Sequence, residues 1–133
     1  MHSFTSISSP FGGNEAAQSG VSYAPVVIPV WRSMAPGSRF LKELFADELP
    51  RGVSHHLLFG YRNKALVGTD SGDGTITLTS QLRWEAQSQA DSLRGFDEDH
   101  LSILNAEVVI DYIQSLLNDS QRQRVSGSTS SRP

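Results

Sequence analysis

The run His56-Leu57-Leu58-Phe59-Gly60-Tyr61 constrains this chain more than any other segment. A strand with one wet face alternates apolar and polar residues, whereas this run is nearly continuous in its apolar character. It predicts a strand covered on both faces, as in a parallel sheet. Ahead of it, Ser38 can cap a helix that carries Phe40, Leu41, Leu44 and Phe45 on one face and must end before Pro50. A helix leading into a doubly covered strand predicts the α/β class: a short parallel sheet with flanking helices. With 133 residues, 38% of them hydrophobic, the chain has room for one modest core.

The flanking segments fit that scheme. Ser3 to Ser8 reads as a short strand through Phe4 and Ile7, stopped by Ser9-Pro10-Phe11-Gly12-Gly13. It begins almost at once, without a preceding cap or loop, and this abruptness predicts that a preceding piece is missing. Between Asn14 and Gly37 the prolines Pro25, Pro29 and Pro36 recur, and the apolar stretch Val26 to Trp31 is too interrupted for a regular core element; the reading is an ordered excursion. Thr69 to Gly74 is a turn by composition, followed by Ile76, Leu78 and Leu82 and by a helical segment from Arg83 to Ala90. Ser92 to Phe96 predicts a further short strand. From Leu101, the positions Leu104, Val108, Tyr112 and Leu116, joined by Val109 and Ile113, follow helical spacing. The partial α/β domain thus spans residues 1–118. Residues 119–133, rich in Ser, Arg and Gln, have too little apolar surface to offset ordering entropy and are expected to be a disordered, solubilising tail that includes Arg122, Arg124 and Arg132.

Composition narrows the partners. The net charge of −3 comes from 14 acids and 11 bases mixed along the chain, so no basic field grips a phosphate backbone and nucleic acid is not an expected partner. There is no cysteine, hence no disulfide framework or thiolate metal site. Met1 to Gly13 has neither the basic region nor the apolar run of a signal peptide, and no stretch approaches the roughly 18 apolar residues of a membrane span. The compartment stays open, with the cytoplasm as the default expectation. His55 and His56 raise a metal hypothesis, but adjacent strand residues point to opposite faces, so neither a metal nor a cofactor is expected.

The residues that can carry chemistry are Asp73, in Ser-Gly-Asp-Gly-Thr-Ile after the buried strand, and His100, in Phe-Asp-Glu-Asp-His-Leu before the last helix. Both follow predicted strands, and in open α/β sheets ligands bind in the crevice beyond the strand carboxyl ends. A carboxylate that accepts the imidazole Nδ1–H fixes the tautomer and stabilises the imidazolium formed when Nε2 takes a proton. Plainer readings stand beside this one. Asp-Gly is a common turn dipeptide, Asp70 is a rival acid, and the acids Asp97, Glu98 and Asp99 are compatible with a solvated loop histidine at position 100.

Taken in order, these segments resemble the α/β-hydrolases of the lipase and esterase type. Ser3 to Gly13, ending Ser-Pro-Phe-Gly-Gly, is similar to the strand and loop after the nucleophile elbow, which in lipases often reads Thr-Pro-His-x-Gly. Asp73-Gly74-Thr75-Ile76, with Ser80-Gln81-Leu82, is similar to the acid turn. His100-Leu101 and the apolar helix after it are similar to the histidine loop. The matched region runs from about Ser3 to Leu117. The resemblance implies the C-terminal part of an α/β-hydrolase fold, catalytic roles for Asp73 and His100, and a carboxylic-ester or lipid substrate.

The departure from the family is equally specific. The triad of this fold runs Ser, then Asp or Glu, then His, and a G-x-S-x-G elbow should precede Ser3; no such pentapeptide occurs in these residues. With the elbow goes the backbone N–H of the oxyanion hole, each such donor being worth about 10²–10³ in rate. Ser8 and Ser9 are poor substitutes, since nothing in their sequence setting would strain or activate them. The expectation is a hydrolase fragment inactive alone, with Trp31 and Met34 available for an acyl pocket, a lid or simple packing. The rival expectation is a non-catalytic interaction module, or a remnant that self-associates through open sheet edges.

Overall fold

The computed structural model describes residues 3–63 and 71–129, with side chains through residue 122. Three parallel strands, β1 (Ser3–Ile7), β2 (Ser54–Gly60) and β3 (Ser92–Phe96), form a sheet in the order β1-β2-β3. Ser3 aligns with Ser54 and Ile7 with Leu58; His56 aligns with Ser92 and Gly60 with Phe96. Because every strand points the same way, each needs a crossover to reach the next. Helices α1 (Glu15–Tyr23), α2 (Pro29–Met34) and α3 (Arg39–Glu43) join β1 to β2, while α4 (Leu78–Gln81) and α5 (Trp84–Ser88) join β2 to β3. A 3₁₀ turn at Ser102–Leu104 leads into α6 (Glu107–Thr129).

The doubly covered strand is present. Leu57 and Leu58 are consecutive and therefore point to opposite faces, yet both are buried. On one face Leu58 joins Phe96, Ile103 and Val109, with Ile7 of β1, Ala106 just ahead of α6, and Tyr112 and Ile113 of α6 packed around them. On the other, His55 shares its face with Leu57 and meets the rings of Phe4 and Phe11, and Phe11 in turn meets Phe45.

Two expectations need correction. The stretch from Asn14 to Gly37, read as an ordered excursion interrupted by prolines, contains two helices, α1 and α2, although α2 buries no residue. Asn14 caps α1 by accepting from the Ala16 N–H at 2.7 Å, and Pro29 opens α2, where its missing N–H would have had no helical partner anyway. Pro25 and Pro36 fall outside both helices. A Cβ on Gly20 would lie 2.7 Å from the Trp31 ring, so this glycine lets α1 and α2 cross closely.

The second correction concerns the last helix. A 3₁₀ turn precedes it, and its inner face carries buried Val109 and partly buried Tyr112, Ile113 and Leu116, with Val108 half exposed and Leu104 outside the helix. The backbone of α6 continues to Thr129, into the segment expected to form the tail. Once a helix is nucleated by packing, adding Gln and Arg residues extends it with little penalty. The cap at Ser38 is as expected, its hydroxyl accepting from the Leu41 N–H at 3.2 Å, although of the predicted apolar face only Leu41 is buried. Among the described residues no helix is long and apolar enough to cross a membrane.

Candidate functional site

Asp73 lies in a tight turn directly beyond the carboxyl end of β2. Gly72 and Thr77 form an antiparallel bridge across this turn, and the Asp73 N–H donates to the Ile76 carbonyl at 3.1 Å. Gly74 takes φ +85, a left-handed conformation that a side chain would strain. One carboxylate oxygen, Oδ1, accepts from the backbone N–H groups of Thr75 at 3.0 Å and Ile76 at 2.7 Å. The turn role is therefore real, and it uses only half of the carboxylate.

The other half faces His100. Asp73 Oδ2 and His100 Nδ1 are 2.8 Å apart, and the His100 N–H donates to the Asp73 carbonyl at 2.9 Å. The two residues are thus tied through both backbone and side chain. The Asp73 side chain is completely buried, whereas the His100 side chain keeps 32% of its surface exposed. An anchored carboxylate that orients a partly exposed imidazole can hold one tautomer and support proton transfer at Nε2.

The acids before His100 have structural partners. Arg62 pairs with Asp97 at 3.2 Å and with Glu98 at 3.1 Å, and Glu98 also accepts from the Ser102 hydroxyl at 2.6 Å. Asp99 Oδ1 accepts from the N–H groups of Leu101 and Ser102, capping the 3₁₀ turn. The rival acid Asp70 lies outside the described residues.

Two neighbouring cavities lie between the segment after β1 and its surroundings; the first borders the acid turn, and neither is lined by Asp73 or His100 themselves. One, of about 340 Å³, is lined by Thr75, Ile76 and Thr77 of the acid turn and by Gly12 to Ala16 after β1. The second, of about 390 Å³, is lined by Trp31, Met34, Pro10 and Ala17. Asn14 and Ala16 wall both, so the space beside the acid turn adjoins the one beside Trp31 and Met34.

Models of known families, curated proteins and solved structures were compared with the chain, and none matches. The site's meaning therefore rests on its own geometry.

Sequence reasoning missed several residues. Ser8, expected to be unstrained, has φ +45 directly after β1, is buried, and its hydroxyl has no hydrogen-bond partner among the described residues. The strain arises where the chain leaves β1 beside Gly60, and no base accepts from Ser8 Oγ. Gly60 itself is hemmed in: a Cβ there would lie 2.7 Å from the Glu98 carbonyl and 3.0 Å from Asp73 Cβ. Its place at the end of an apolar run was the available signal. Gln81 was placed by resemblance near the acid turn, but its contact with Gly60, 21 residues away, had no local signal.

The two adjacent histidines point apart, as alternation requires. His55 is buried, with Nε2 2.8 Å from Ser6 Oγ and Nδ1 without a partner among the described residues. Burial first, and then His56, push its pKa below the ordinary value, while Asp91 pulls it up. His56 Nδ1 is 2.7 Å from Ser92 Oγ. Among the described residues no three His, Asp or Glu side chains are grouped to hold a metal ion.

Proposed function

We propose that this chain carries the acid and the base of a lipase- or esterase-like serine hydrolase of the α/β-hydrolase type, with the nucleophilic serine supplied by sequence outside these residues. The observation that carries the reading is the 2.8 Å contact between Asp73 Oδ2 and His100 Nδ1 at the carboxyl ends of adjacent parallel strands. Asp73 orients the imidazole. His100 Nε2 takes the proton of the serine hydroxyl during attack on the ester carbonyl and returns it to the leaving alcohol. The chain order, acid before histidine, is that of the α/β-hydrolase triad. The cavity bordering the acid turn adjoins a second one lined by Trp31 and Met34, whose apolar side chains would suit the acyl part of a carboxylic ester.

Fluorophosphonate labelling with mass spectrometry tests this reading on two proteins: the 133-residue chain, and a longer product that includes whatever residues are encoded ahead of Met1. The short chain is expected to carry no label. The longer one is expected to be labelled at a serine preceding Ser3 and to lose that label on His100→Ala. Label on a serine within the short chain would refute the assignment of the nucleophile. A longer product that stays unreactive would refute the hydrolase reading.

A second reading has its own support. β1 is an edge strand, Phe4 on it is 37% exposed, and Val108 and Leu117 on α6 are about half exposed. An open edge strand and, separately, exposed apolar side chains on α6 favour association with another chain or a second copy. A concentration-independent monomer in sedimentation velocity would remove that support.

A further inference from the structure

The side-chain amide of Gln81 holds together the two pieces of backbone on which Asp73 depends. Its Oε1 accepts from the Gly60 N–H at 3.1 Å, and its Nε2 donates to the Gly60 carbonyl at 3.1 Å and to the Ile76 carbonyl at 3.0 Å. Gln81 is buried, and the three contacts use both of its donors and one acceptor site. Turning the amide over would set its oxygen against two carbonyls, so only one orientation fits.

Ile76 is also the residue that exchanges two hydrogen bonds with Asp73: its N–H donates to Oδ1, and its carbonyl accepts from the Asp73 N–H. Gly60 is the last residue of β2 and lies against Asp73 Cβ. The amide thus bridges the end of the strand and the far side of the acid turn, leaving Oδ2 little freedom to swing relative to the loop that carries His100.

We propose that Gln81 is a positioning residue for the Asp73–His100 pair. By clamping Gly60 to Ile76, it sets the direction in which Asp73 presents Oδ2 and so selects the His100 tautomer protonated at Nδ1. The inference rests on the reading of Asp73 and His100 as a working acid–base pair. It adds a residue that touches neither substrate nor imidazole and acts only through the carboxylate.

The test measures the tautomer of neutral His100 from its imidazole ¹⁵N shifts in the full chain. Gln81→Met keeps the length of the side chain but lacks the amide, and the Nδ1–H form is expected to fall from nearly all of the population to less than half. Leu41→Val, a buried change in α3, controls for loss of stability and is expected to leave the tautomer unchanged. If Gln81→Met does not fold, Gln81→Asn is read in the same way. An unchanged tautomer in the folded Gln81 variant, or an equal change in Leu41→Val, would overturn the proposal. Asp73→Asn separates the two levels: if it too leaves the tautomer unchanged, the acid–base reading fails, whereas an effect of Asp73→Asn without one of Gln81 removes the Gln81 inference alone.

Discussion

Replacing Asp73 by alanine should weaken the fold far more than replacing it by asparagine, and the difference can be worked from its contacts. The carboxylate accepts from Thr75 N and Ile76 N through Oδ1 and contacts His100 through Oδ2. Hydrogen bonds to a charged group are worth about 1.5–3 kcal/mol each, so losing all of them sets a ceiling of roughly 4–9 kcal/mol. Relaxation of the turn and entry of water reduce this to about 3–5 kcal/mol for Asp73→Ala, the range for breaking a buried pair. Asp73→Asn keeps an oxygen for both backbone donors and can turn its amide toward His100, giving about 1–2 kcal/mol. Urea unfolding followed by circular dichroism reads both. With a slope of about 2 kcal/mol per molar, Asp73→Ala should lower the midpoint by roughly 1.5–2.5 M. A loss below about 1 kcal/mol for Asp73→Ala, or equal losses for the two variants, would refute the claim that this carboxylate organises its turn.

Gly60→Ala should destabilise by about 1–3 kcal/mol through overpacking, because the new methyl meets the Glu98 carbonyl at 2.7 Å, and thermal unfolding would show it. A variant as stable as the parent would mean that the strand end is not tightly packed. The pKa of His55 is held below 6.5, so between its folded and unfolded values only the unfolded chain is protonated, and stability must fall as pH drops through that window. His55→Gln should therefore lose less stability than the parent between about pH 7 and pH 5 in urea titrations; an identical decline would assign the acid sensitivity to other groups. Gly20→Ala should push the Trp31 ring off α1, a shift readable by acrylamide quenching of Trp31 fluorescence in a Trp84→Phe background. Unchanged quenching would show that the helices can absorb the methyl group without moving the ring.

The sequence by itself determined whatever depends on near neighbours. The unbroken run at Leu57 and Leu58 required cover on both faces of β2, Ser38 marked the start of α3, and Asp-Gly at 73 and 74 required a turn at the strand end. Asp73 and His100 could be named because each follows a strand, although their meeting depended on β2 and β3 becoming adjacent. Only the tertiary structure decided the rest. The prolines between Asn14 and Gly37 read as breaks until Pro29 was found at a helix start, and the buried stripe of α6 took the Val109 and Ile113 phase because the sheet presents Leu58 and Phe96 to it. The hold of Gln81 on Gly60 was illegible because the two are 21 residues apart, just as the Ser80 hydroxyl finds the Gly13 carbonyl across 67. Local propensity and periodicity report how a segment prefers to fold; which buried polar group will satisfy another is set only when the crossovers bring distant segments into contact.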